Sequence, residues 1–188
     1  MTSPRRRAPL TASDLDNAVL AVAAEHGLTN ATIRNVAAHL GVSIGAVQHH
    51  FPTKDALYIS AFTALVDRVT QRIDAVGHAD DGALEDVLME LLPIDSRRRA
   101  EAQVMIEFSA LATRAESLAA IQERTLARIR AALCDALSAR GVDAPGVRAT
   151  ALLAMVDGLA LHASSTTGAY PQEALDSVLR HQLTLILD

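Results

Sequence analysis

The chain has 188 residues, a formal net charge of −5, 50% apolar residues and only 3% aromatics. That length holds one compact domain, or a small domain joined to a larger one. Ala, Leu, Val and Ile dominate the apolar set, which suits helices packed on helices rather than a sheet sandwich, and a lone Cys134 excludes an internal disulfide.

From the N-terminus, a basic cluster (Arg5, Arg6, Arg7) is followed by Asp14 and Asp16, which interrupt any signal-peptide core. Thr11 with Asp14 three residues on reads as a capping box, and Leu15, Val19, Val22 and His26 repeat at helical spacing until Gly27. Thr32 caps a second helix with Ile33, Val36, Ala37 and Leu40 on one stripe, ended by Gly41. Ser43 caps a very short third helix closed by Pro52. Thr53 caps a longer fourth, with Leu57, Phe62, Leu65, Val66, Val69, Ile73 and Val76 inward. A polar loop around 77–82 follows. Helical patterns then occupy about 83–92, 96–113, 116–139, 146–167 and 172–187, with no alternating strand pattern and no repeat. The expected fold is all-α with nine helices. The longest lipid-like stretch, Ala149 to Val156, is too short to span a bilayer, so a cytoplasmic protein without a membrane partner is expected.

Charge is unevenly placed. Residues 1–55 hold five basic and four acidic groups, whereas the remainder holds 12 basic and 18 acidic ones. The N-terminal part tolerates a polyanion and the body repels one. Two short helices joined by a tight glycine turn form a helix-turn-helix unit at about 31–50. Ala37 permits close approach, Gly41 supplies the left-handed turn, and Val47 and Phe51 point inward. Gly45, Ala46, Gln48 and His49 then point outward. Such a face suits a major groove: Ala46 admits a thymine methyl, Gln48 can pair with adenine, and His49, His50 and Lys54 can reach base edges or phosphates. The competing reading of His49-His50 is a solvated patch. No Cys, Asp or Glu lies between His39 and Asp55 to complete a metal site, and neither metal nor cofactor is expected.

The run TIRNVAAHLGVSIGAVQHHFPTKDAL resembles the TetR family of bacterial transcriptional regulators, matching its pattern at Ala37, Gly41, Val42, Ser43, Gly45, His50, Phe51, Lys54 and Leu57. The likeness is specific over about 10–65 and architectural beyond. It departs at Gln48, where the family usually has a backbone-contacting tyrosine. Gln48 is left to hold a phosphate or read a base. The resemblance implies a DNA-binding domain at 8–68, contacting DNA through Thr32, Arg34, Ser43, Gly45, Ala46, Gln48, His49, His50 and Lys54. It implies an effector-binding and dimerisation domain at 69–188. The Arg5–Arg7 run becomes an arm toward phosphate or minor groove, whereas Arg97-Arg98-Arg99 reads as a solvated first turn.

The acidic body carries no nucleophile elbow, phosphate loop or zinc motif. Its last two helices are so apolar that a two-fold four-helix bundle is expected, through Leu152, Leu159, Leu175, Leu179, Leu183 and Ile186; the competing reading is a pair buried inside a monomer. Phe62, Met89, Met105, Phe108 and Met155 are candidates to line an effector cavity, with Ser109, His162, Glu107 and Asp157 as polar contacts; plain core is the competing reading. The expected function is a homodimeric, ligand-responsive repressor of a palindromic DNA operator, released by a small, mostly apolar effector. Rival readings are an all-helical enzyme or carrier with a structural N-terminal unit, and a constitutive DNA-binding protein without effector.

Overall fold

The computed structural model describes residues 11–76, 83–166 and 168–187. The Arg5–Arg7 arm and the 77–82 loop lie outside these residues. Among them the chain forms α1 (Ala12–His26), a 3-10 turn (Leu28–Asn30), α2 (Ile33–Leu40), α3 (Ile44–His50), α4 (Lys54–Val76), α5 (Ala83–Met89), α6 (Ser96–Ala112), α7 (Glu116–Ala139), α8 (Pro145–Ser165) and α9 (Gln172–Leu187), with no strand.

Local chemistry sets the helix ends. At α1 the Thr11 hydroxyl accepts from Asp14 N, and Asp14 Oδ2 accepts from Thr11 N at 2.9 Å, completing the capping box. These hydrogen bonds from Thr11 hold the Asp14 carboxyl below its ordinary range. Thr53 Oγ1 caps α4 through Ala56 N, and Asp95 Oδ1 caps α6 through Arg98 N. Pro145 sits in the first turn of α8, where its missing N–H costs nothing. α5 ends at Met89, three residues before the expected 92. There Leu91 N and Leu92 N bond back to Leu88 O and Met89 O in tight turns before Pro93.

The apolar residues divide into two clusters. The first joins α1, α2, α3 and α4 to Val104, Phe108 and Ala112 of α6 and Leu118 of α7. The second joins α5 and the end of α7 to α8 and α9. Charged groups lie near the α4–α6 junction. Glu101, only 4% exposed, faces Arg72 at 2.9 Å, and Arg68 and Arg97 stand at 3.8 and 4.0 Å. Glu90 is paired with both Arg72 and Arg98, and Arg99 donates to the Ala163 carbonyl near the end of α8. The expected solvated arginine turn is therefore corrected: Arg98 and Arg99 are half-buried and tie α6 to its neighbours. Sequence spacing could not reveal partners on other helices.

α8 also departs from expectation. Its 21 residues are long and apolar enough to cross a bilayer by length and composition. Here α8 packs along α7 and α6 and buries Ala149, Leu152, Leu153, Val156 and Ala163. Its other face, with Val147, Ala151, Ala154 and Leu161, stays exposed.

Two carboxyls make opposite predictions. Glu101→Ala leaves buried guanidinium charge unbalanced and should destabilise the fold by about 3 kcal/mol, read as a lower denaturant midpoint. Asp157 is exposed on α8 with Leu153, Ala154, Ala160 and Leu161 one turn away, and desolvation by these apolar neighbours raises its carboxyl above the ordinary range. The native state thus holds this proton more tightly than the unfolded chain, so stability falls as pH rises from the ordinary carboxylate range through the raised value. Because solvent screens this exposed group, Asp157→Asn should raise the melting temperature only slightly at neutral pH, with the gain vanishing at pH values below the ordinary range.

Candidate nucleic-acid interface

The recognition unit is built from small residues and caps. α1 and α2 are joined by a turn in which Asn30 Nδ2 donates to His26 O at 2.7 Å and Asn35 Nδ2 donates to Asn30 O at 2.9 Å. Thr32 Oγ1 accepts from Asn35 N at 3.2 Å and starts α2. Gly41, at φ 65° and ψ 41°, occupies the left-handed region that a Cβ would strain, and its N–H reaches Ala37 O and Ala38 O. Val42 N closes the turn onto Ala37 O at 3.0 Å. Ser43 Oγ accepts from Ala46 N at 3.3 Å and starts α3. Val47 and Phe51 are buried, which locks α3 against the rest of the unit.

That anchoring leaves Gly45, Ala46, Gln48, His49 and His50 exposed on one short helix, as the sequence spacing requires. A Cβ built at Gly45 would meet nothing within 4 Å, so the start of α3 is open to close approach. The His50 ring stands edge-on to Phe51 at 4.7 Å, which fixes its orientation. Lys54 Nζ lies 5.4 Å from the Tyr58 ring centroid and stays exposed. Arg34 is exposed and has no ion pair among the described residues. Thr32 and Ser43 use their oxygens as cap acceptors, yet each O–H remains a donor for a phosphate. The unit thus presents amide, imidazole, hydroxyl and cationic donors from one rigid support. Ile44 escaped the sequence reading. Its spacing from Val47 points inward, but no element covers the first turn of α3, and Ile44 is 52% exposed.

The body grips this unit at two points. Glu107 Oε2 of α6 accepts from Leu28 N at 2.8 Å, just past α1. Ser117 Oγ of α7 donates to Asp55 Oδ2 at 2.6 Å in the first turn of α4.

The expected effector lining is not brought together. Phe62 and Phe108 stack at 4.0 Å within the first cluster, leaving no room between them, and Met105 packs at that cluster's margin. Met89 and Met155 belong to the second cluster. Ser109 accepts from Gln122 Nε2 at 2.9 Å, and exposed His162 lies beside Tyr170. Methionine and phenylalanine at helical spacing marked core here, not one cavity. A cleft of about 250 Å³ opens instead between α4 and α7, with Phe62 as the one expected residue in its lining.

The expected dimer residues are corrected too. Leu152, Leu175, Leu179, Leu183 and Ile186 are buried within the chain's own second cluster, and Leu159 is half-buried against it. Periodicity had located the inward face. The outward large apolar residues of α8 and α9 are Val147, Leu161, Val178, Leu185 and Leu187.

Residues 17–61 match the profile of bacterial regulatory proteins of the tetR family, and residues 81–188 match that of the BetI-type transcriptional repressor C-terminal region. The HTH-type transcriptional regulator PksA of Bacillus subtilis (strain 168) is 31% identical over 147 residues, which is 74% of this chain and 71% of that protein. A crystal structure of a transcriptional regulator from Rhodococcus sp. Rha1 is 43% identical and aligns with a TM-score of 0.88 over 95% of this chain and 96% of that one. A Saccharomonospora viridis structure, described as a transcriptional regulator in complex with choline, shares the fold at a TM-score of 0.80 and 20% identity, over 92% of this chain and 96% of that one. With its turn, its uncovered α3 and both parts of its length matched, the chain belongs to the TetR family of bacterial transcriptional regulators and is not an enzyme.

Proposed function

We propose that this regulator is a cytoplasmic repressor that binds a palindromic operator as a homodimer and is released by a small-molecule effector. The observation that carries the reading is the uncovered face of α3, held rigidly by buried Val47 and Phe51 and flanked by exposed Arg34 and Lys54. In this reading α3 enters the major groove. Gln48 and His49 face base edges, Gly45 and Ala46 permit approach, and Thr32, Arg34, Ser43, His50 and Lys54 hold phosphates.

The second copy covers the outward face of α8 and α9. Val147, Ala151, Ala154, Gly158 and Leu161 follow one another at helical spacing, and the small members let a partner helix approach closely. Val178 and Leu185 continue the face on α9. The two helices are already fixed to each other, since Arg148 Nη1 donates to the Ile186 carbonyl at 2.6 Å at the end of α9. Membership of a family of regulators favours a second copy over lipid as the cover for α8.

The effector acts through the two grips on the recognition unit. Any shift of α6 or α7 is felt at Leu28 and Asp55, and so at α3. A ligand that binds the DNA-incompetent arrangement more tightly shifts the population away from DNA, with a typical coupling of about 1–3 kcal/mol.

Fluorescence anisotropy with the intergenic DNA beside the gene tests the reading. If about six to ten phosphates are contacted, affinity should fall roughly 10³–10⁵-fold between about 50 and 200 mM salt; a flat response overturns DNA recognition by this face. Gln48→Ala should cost about 1–3 kcal/mol at a single base pair per half-site if the amide reads a base, and should weaken all sequences alike if it holds a phosphate.

Assembly is tested separately. Leu161→Glu and Leu185→Glu place a charge on the outward face and should yield monomers in sedimentation while the helical content persists. An unaltered dimer for both variants, or a monomeric wild type, counts against this interface. Leu183→Glu, inside the protomer, should instead unfold the second cluster.

A further inference from the structure

The cleft between α4 and α7 has a definite chemistry. Its apolar lining is Phe62, Val66 and Ile121, and Thr63 and Thr125 add hydroxyls. Arg124 and Arg128 stand one helical turn apart on α7, and Asp67 enters from α4. None of these three charged groups makes an ion pair among the described residues. All three are exposed, so the rim of the cleft carries two guanidinium groups against one carboxylate, an excess of one positive charge beside an apolar lining. This departs from the mostly apolar effector expected from the sequence.

We propose that this cleft binds a small amphipathic monoanion, a carboxylate on a short aryl or alkyl body, with the carboxylate held by Arg124 and Arg128. The proposal rests on the effector reading and gives that effector a chemical class. Guanidinium and carboxylate geometries match in paired hydrogen bonds. The ring or chain covers Val66 and Ile121, removing apolar surface from water. The opening of about 250 Å³ limits the ligand to a small body. Asp67 disfavours a second negative charge, which selects monoanions over dianions. The cleft also adjoins the transmission route: its lining residue Phe62 stacks on Phe108, and Gln122, next to Ile121, holds Ser109 on α6.

The test is calorimetry on the full chain with three probes on one skeleton: 4-phenylbutyrate, its neutral amide and 4-phenylbutylamine. Octanoate and 1-naphthoate extend the anionic set. The carboxylate should bind at least about tenfold more tightly than the amide or the amine, the scale of one charge-assisted hydrogen bond. Arg124→Gln with Arg128→Gln should lower its affinity about tenfold or more while the melting temperature is retained. Equal binding of amide or amine, unchanged affinity in the double variant, or no binding by any of the three anions at millimolar concentration overturns the proposal. Should the double variant misfold, Thr125→Trp, which fills the opening from a half-buried position in its lining, must abolish carboxylate binding instead. Operator release is scored apart: an anion that binds the cleft without displacing DNA defeats the effector reading and leaves the site standing, whereas absent binding with intact operator recognition defeats only the site.

Discussion

The face-to-face stack of Phe62 on Phe108 is the joint on which the architecture depends. These are two of the chain's three phenylalanines, and the third, Phe51, anchors the end of α3 in the same apolar cluster. The stack fixes the N-terminal half of α4 on the C-terminal part of α6. One residue before Phe108, Glu107 reaches the backbone past α1; one residue after it, Ser109 meets α7. α6 therefore holds the recognition unit and the body in one frame. A stacked aromatic pair combines large buried area with a defined geometry, which suits it to fix one helix on another.

The ion network complements this apolar joint. Carboxylates at Glu90 and Glu101 can be satisfied only when Arg72 of α4 and Arg98 of α6 arrive in register, since desolvated charge without a partner is costly. Apolar contacts alone would tolerate sliding of α4 along α6. Directional pairs do not, so charge supplies register where packing supplies affinity. Among the described residues, the N-terminal unit instead leaves Arg34 and Lys54 without carboxylate partners, as cations open to a polyanion. The net acidity of the chain thus belongs to the body and leaves the recognition unit free for DNA.

Legibility in the sequence followed the range of each interaction. Helix ends were readable because caps act within a few residues: Thr11 with Asp14, Thr32, Ser43 and Thr53 are all local. The turn at Gly41 was readable for the same reason, and with it the outward residues of α3. Which surface of the last two helices is outward was not. Periodicity identifies the most apolar stripe, and in a helix packed inside its own chain that stripe faces inward, as Leu175, Leu179 and Leu183 do. The outward stripe of α8 has Ala151, Ala154 and Gly158 between Val147 and Leu161, and its small members carry little signal. The cleft was invisible because it needs Arg124 and Asp67 from two helices. The partners of Arg98 and Arg99 were invisible likewise, and spacing within one helix does not encode those meetings.

The location of the cleft has a thermodynamic consequence. Phe62 is at once part of its lining and half of the stack that positions the recognition unit. A ligand that does no more than cover Val66 and Ile121 equally in every arrangement binds without shifting anything. Coupling requires that the occupied cleft favour one relation of α4 to α7 over another, and Ser117 to Asp55 is the polar contact that reports that relation at the start of α4. A tightly packed joint has few intermediate positions, so under the proposed reading a small preference in the cleft would select between discrete arrangements of the recognition unit. By linkage the effect is reciprocal: the factor by which an effector weakens operator binding is the factor by which operator DNA weakens effector binding.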